Sequence, residues 1–368
     1  MTTTAPIRGR KESNRGSHAW GRNDLIGWTV LALLLFTALP LAGCGGSLPK
    51  AQQLDHYRPL LSRPLADRIV PADEAVIERA HRTNLDYGQD IRPRPASADH
   101  PVAGITRRVL ASLPDPVARL ARQHLAAVYL IEGDLGTATT ELVGRKGGPW
   151  RHAYIALNVT SLTRKANDWA TWKERSTFLP LPGEGGEAPY RNGPRMVIEP
   201  PETDDLEGAV RFILLHELGH VIGVGQRVHP PWEPDGAPTP KGGYPYRLLS
   251  WKPNRKGGMD SRTRETQPLP HQSEFYTFDK APLRMPQAQG VYAQLEETNL
   301  PSLYGASNHY DDFAEAFVID VHTRLLGKSY RVDILKDGEV VRVYRSCLQR
   351  GDCPGKASFL RQLLGGSG

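Results

Sequence analysis

The chain has 368 residues with 46 basic and 40 acidic side chains, a formal net charge of +6, long enough to bury a sizeable core. Residues 1–43 carry five of the basic and two of the acidic side chains, so the remainder has a net charge of +3, which is weak evidence for a polyanionic partner. No basic run interleaved with aromatics occurs, and nucleic-acid binding is not expected.

At the start of the chain, Arg8, Arg10, Lys11, Arg15 and Arg22 precede an apolar run from Leu25 to Leu41, which ends in Leu41-Ala42-Gly43-Cys44. A positive segment, an apolar run and small residues before a cleavage point make an export signal over residues 1–43 rather than a membrane span. Leu-Ala-Gly-Cys resembles the lipobox of bacterial lipoproteins. That resemblance implies cleavage before Cys44, lipid on its thiol, and anchoring to a membrane of the bacterial cell envelope. The outer membrane or periplasmic side is favoured, since Gly45 is not an inner-membrane retention signal. Residues 44–71 then read as the lipidated cysteine and a tether.

Helices are predicted over residues 72–84, 102–113 and 115–124, the last with Pro116 in its first turn. Apolar runs at 126–131 and, after the turn at Gly147-Gly148, at 153–159 read as strands. Trp169 and Trp172 could line a cleft, but packing is the favoured role for such large aromatics. Residues 180–201 are rich in Pro and Gly and read as loop.

Asp204 followed by Glu207 marks a helix start, and Leu206, Val210, Ile213, Leu214 and Val221 recur at helical spacing, so one side of the helix should be buried. Gly223 and Gly225 suit its end. This helix carries His216-Glu217-Leu218-Gly219-His220, the pattern H-E-x-x-H. Histidines four apart project from one face and can hold a single zinc ion at roughly 2.0–2.1 Å. Glu217 stands to take a proton from water on that metal.

Residues 226–301 form a Pro/Gly-rich insertion, which serves either as a wall or lid of the site or as a mobile segment without a role. Tyr244, Tyr246, Trp251, Phe275 and Tyr276 could pack it down. A catalytic zinc needs a third protein ligand. The metzincin position is Gln226, which excludes that class, and His229 and His271 sit in Pro-rich loop. A second amphipathic helix from Asp311 offers Asp311 and Glu315 one turn apart, with Phe313, Phe317 and Val321 toward a core.

Tyr304-Gly305-x-Ser307-Asn308-x-x-Asp311-x-Phe313-Ala314-Glu315-Ala316-Phe317, downstream of His216-Glu217-x-x-His220, resembles the catalytic region of the anthrax lethal factor-like gluzincin metallopeptidases. The resemblance covers about residues 200–325. It implies that Tyr304 stabilises the transition state, that Asp311 is the third zinc ligand and that Glu315 is the acidic residue after it. The family usually has Glu where this chain has Asp311. Glu315 therefore stays open as the alternative ligand, and otherwise orients a histidine.

After this region, strands around Lys336-Asp337-Gly338 form a β-hairpin with an Asp-Gly turn. Cys347 and Cys353 flank a short polar loop that can close a disulfide in an exported chain, and a closing helix spans 357–364. An exosite for substrate on this part is a minor alternative to a structural role.

The expected architecture is α+β. A zincin-like metallopeptidase domain over 72–328 combines a small mixed sheet, the H-E-x-x-H helix and the second ligand-bearing helix. Residues 329–368 carry the C-terminal hairpin. The expected function is a zinc-dependent endopeptidase with one zinc per chain, lipid-anchored and acting on peptide or protein. The alternatives are a catalytically silent lipid-anchored scaffold that keeps the metal site, and a zinc hydrolase of non-protein envelope material.

Overall fold

A computed structural model describes residues 47–365 apart from Leu135 and residues 184–189, 234–238, 264–273 and 278–279. The export signal, Cys44 and His271 therefore lie outside the described residues. The architecture is α+β.

The central sheet contains β1 (Ile69–Pro71), β2 (Arg94–Pro95), β3 (Leu125–Glu132), β4 (Ala138–Val143) and β5 (His152–Asn158), in the order β1-β3-β5-β4 with β2 paired to the end of β3. β1, β3 and β5 run parallel, and β4 closes one edge antiparallel to β5. Alternate residues of β3 and β5 face opposite layers. Tyr129, Ile131, Tyr154 and Ala156 pack toward α1 (Leu54–Leu61) and α2 (Glu74–Asp86). Val128, Leu130, Ile155 and Leu157 belong to the larger core with α3 (Pro101–Ala111), α4 (Asp115–His124) and α6 (Leu206–Gly225). Cover on both faces explains why both strands are near-continuous apolar runs in the sequence.

The described part of the expected tether, residues 47–71, is folded. Tyr57 of α1 is fully buried against Tyr129 and Tyr154, its hydroxyl donates to the Ala51 carbonyl at 2.7 Å, and β1 is a strand of the sheet. The expected loop over 180–201 also contains structure. After α5 (Ala166–Arg175) and β6 (Phe178–Leu179), β7 (Gly193–Val197) pairs antiparallel with β11 (Arg331–Lys336), which in turn pairs with β12 (Glu339–Tyr344). The hairpin turn has positive φ at Asp337 (53°) and Gly338 (94°), the conformation that the Asp-Gly pair favours.

α6 begins one residue later than expected. Asp205 is its N-cap, accepting from the Gly208 amide at 2.8 Å, whereas Asp204 accepts from the Asn167 amide in the first turn of α5. Gly223 and Gly225 lie inside α6 because of close approach rather than termination: a Cβ on Gly223 would stand 2.3 Å from His229 Nε2, and one on Gly225 2.2 Å from His124 Cγ. The left-handed residue past the helix is Arg227, φ 55°. Burial is not confined to one side. Although α6 is long and apolar enough to cross a membrane, 89% of its most apolar window is buried, as in a core helix.

The insertion contains β8 (Trp251–Pro253), β9 (Met259–Ser261), β10 (Leu283–Arg284) and a helix not expected from its composition, α7 (Ala288–Glu296), which buries Val291, Tyr292 and Leu295. Tyr244, Tyr246, Trp251 and Phe275 are buried and Tyr276 is half-buried.

α8 (His309–Asp320) crosses α6 so closely that a Cβ on Gly219 would lie 2.8 Å from Ala314 Cα. After it come α9 (Cys347–Arg350) and α10 (Pro354–Leu363), with Cys347 and Cys353 joined as a disulfide between them. Lys356 of α10 pairs with Asp312 of α8, both fully buried, and Trp251 Nε1 donates to the same carboxylate at 2.9 Å. The C-terminal segment thus joins the main core, which includes Val332, Tyr344 and Leu360.

Candidate metal centre

Two helices bring the chemistry together. His216 and His220 stand one turn apart on α6, and Asp311 enters from the first turn of α8. His216 Nε2 and His220 Nε2 lie 3.2 Å apart, and Asp311 Oδ1 is 3.6 Å from the first and 3.4 Å from the second. Donors about 2.0–2.1 Å from a tetrahedral ion are separated by roughly 3.3–3.4 Å, so these three are close enough to hold one metal ion. Two facing imidazole nitrogens and a carboxylate are a donor set that suits zinc.

Two of the three donors are held by neighbours. Asn308 caps α8: its side-chain oxygen accepts from the amides of Tyr310 and Asp311, and its Nδ2 donates to Asp311 Oδ2 at 2.6 Å, which leaves Oδ1 toward the histidines. Glu315, one turn further along α8, stands on the other side of His216, with Oε1 3.0 Å from Nδ1. The sequence left Asp311 and Glu315 as alternatives; in the structure they flank opposite nitrogens of the same ring.

Burial pushes the His216 imidazole down. The carboxylates of Asp311 and Glu315 against its two nitrogens outweigh that effect, holding it at about 9 before any metal competes for the site. Burial pushes Asp311 up, but the two histidines beside its Oδ1 bring it well below the usual carboxylate range.

Glu217 faces the cleft, and Thr140 Oγ1 of the edge strand β4 donates to its Oε2 at 2.6 Å. Tyr304, in the short turn Tyr304–Ala306, packs its ring 5.6 Å from that of His216 and 4.8 Å from that of Phe275. Its phenol is raised well above 10, first by burial and then by the nearby Asp311 carboxylate, so it remains a hydrogen-bond donor at neutral pH.

The open cleft over these groups has a volume of about 490 Å³ and runs between β4, the end of α2 and the start of the insertion. Trp232, with its ring 6.3 Å from that of His220, forms part of the wall, and the neighbouring Glu233 is bonded to Gln52 and Arg79. A side pocket of about 70 Å³ lies between Trp169, Phe212, Tyr276 and Tyr304. The described parts of the insertion therefore supply wall, and Trp169 combines packing with pocket lining.

His229 is not brought to the other histidines. It is buried, with Nδ1 on the Pro230 carbonyl at 2.9 Å, and burial lowers it to about 3. Sequence reasoning missed Thr140, because Thr139, Thr140 and Glu141 interrupt any apolar run in β4, and gave no role to Lys173 or Ser302, both of which contact Glu315.

Compared with protein-family models, with curated proteins and with solved structures, the chain finds no match.

Proposed function

We propose that the chain is a zinc-dependent endopeptidase of zincin-like architecture, anchored to the bacterial cell envelope through Cys44. The observation that carries the reading is the convergence of His216, His220 and Asp311 within bonding range of one ion, beside the Glu217 carboxylate of α6, which Thr140 of the strand bordering the cleft holds by a hydrogen bond. Zinc held by those three residues would supply Lewis-acid polarisation of a water molecule and of the scissile carbonyl.

The chain's own groups divide the remaining work. Glu217, oriented by Thr140, takes the proton of the attacking water and passes it to the leaving amine. Tyr304, kept protonated, donates a hydrogen bond to the oxyanion as it develops. Asn308 and Glu315 keep the ligands turned inward. β4 is the edge of the central sheet, and an extended peptide pairing with it lies along the cleft in which Glu217 stands, a form of strand addition.

The test is zinc per chain together with peptide cleavage. The unsubstituted chain should bind one zinc, and His216→Ala and Asp311→Ala should lose it. Glu217→Gln should keep the zinc and lose turnover, and cleavage near the unsubstituted rate by that variant would remove Glu217 from the mechanism. Zinc bound without cleavage of any peptide, but with release of peptidoglycan fragments, would reassign the substrate.

A further inference from the structure

We infer that Lys173 is a positioning residue of this centre: acting through Glu315, it sets both the ring of His216 and the turn that carries Tyr304. The inference rests on the reading of His216, His220 and Asp311 as a metal centre. Lys173 lies on α5, well away in sequence from both metal-bearing helices, and is only 7% exposed. A buried ammonium is costly unless it is paired, and its Nζ lies 3.1 Å from Glu315 Oε1.

That oxygen is shared, since it is also 3.0 Å from His216 Nδ1. The other oxygen, Oε2, accepts from the Ser302 hydroxyl at 2.7 Å, and Ser302 Oγ accepts from the Gly305 amide at 2.9 Å, closing the turn in which Tyr304 sits. The ammonium also stands 3.8 Å from the centre of the Tyr304 ring, well within the range of a cation–π contact. Trp169 and Phe275 lie on its remaining sides, each with its ring centre 6.0 Å away.

Glu315 is thus the junction of three separate segments, and Lys173 is the cation that allows a carboxylate to be buried there. Without it the carboxylate loses its ammonium partner and has only His216 to balance it, and it shifts from its position beside Nδ1 of the imidazole. Loss of such a partner typically weakens metal binding by about 10- to 100-fold. Glutamine at 315 keeps a side chain of the same size beside His216 Nδ1 but carries no charge for Lys173 to balance, so the two positions should be coupled.

The experiment is a double-mutant cycle on the full chain in detergent, reading zinc affinity by chelator competition, with circular dichroism as the check on folding. Lys173→Met should weaken zinc binding at least tenfold in the unsubstituted background and less than twofold in the Glu315→Gln background. If Lys173→Met does not fold, Lys173→Gln, which keeps a donor toward Glu315, takes its place in the same cycle with the same expected asymmetry.

An equal loss in both backgrounds, or a change of less than twofold in the unsubstituted one, would overturn the role of Lys173. If zinc is then still lost in His216→Ala, the metal reading stands without it. An unsubstituted chain that binds no zinc would overturn both.

Discussion

Asn308 does two things with one amide. Its oxygen caps the first turn of α8, and its nitrogen holds Asp311. The two roles separate by substitution. Asn308→Ala should cost about 1 kcal/mol of stability through the lost cap and weaken zinc binding about tenfold through the freed carboxylate. Asn308→Asp should keep the cap and the stability but lose the zinc affinity, because an acceptor replaces the donor beside Asp311. Equal zinc affinity in Asn308→Asp and the unsubstituted chain, measured by chelator competition, would show that the amide donor has no effect on the ligand.

At this scale the candidate site was legible because the pattern of His216, Glu217 and His220 encodes chemistry in its spacing. Thr140 and Lys173 were not. A threonine and a lysine carry no spacing signal, and both reach the site through tertiary contacts that only the fold creates.

The elements around the site are braced by α5, which faces α7 as well as α8. Glu174 of α5 is buried and accepts the Tyr292 hydroxyl of α7. Burial pushes its carboxyl up to about 7, against the pull of Lys173 and Tyr292. Its folded value therefore lies above the unfolded one, and between pH 4.5 and 7 the folded chain keeps a proton that the unfolded chain releases. Stability from this group is present below that window and is lost as pH rises through it, by an amount on the order of 3 kcal/mol. In Glu174→Gln this loss should vanish. Urea unfolding at pH 5 and pH 8 would show it as a smaller fall than in the unsubstituted chain, and equal falls would remove Glu174 as the cause.

Elements with a one-sided or fully apolar pattern, such as α4, β3 and β5, could be read from the sequence to within a residue or two. β4 and β7 could not, because the half-buried start of β4 borders the cleft and carries Thr139 and Thr140, and β7 is set among Pro and Gly. α7 was concealed by the composition of the segment around it, although Val291, Tyr292 and Leu295 do share a helical face.

In the molecule as a whole the C-terminal segment is part of the construction of the site. Lys356 reaches the carboxylate of Asp312, the residue after the candidate ligand Asp311. Lys356→Met should destabilise the chain by about 3–5 kcal/mol, because it strands a buried charge. Lys356→Met combined with Asp312→Asn should recover most of that loss. A double variant as unstable as the single one, by urea unfolding, would show that packing of α10 rather than charge is responsible. The hairpin and closing helix were visible in the sequence, but their attachment to α8 was not, since two oppositely charged residues so far apart give no sign of their partnership.

The placement of the donors on α6 and α8 has a topological consequence. His216 and Asp311 are separated by about 95 residues, so an ion bound to both converts the chain between them into a closed ring, in the sense of loop-closure restraint. Most of that ring is the insertion, whose Trp232 and Tyr276 stand on the walls of the cleft and the side pocket. Such an ion would add a clasp to the packing of α8 on α6 that already closes the ring, so its removal should loosen the segment that shapes the entrance, and metal content and access to the cleft would vary together.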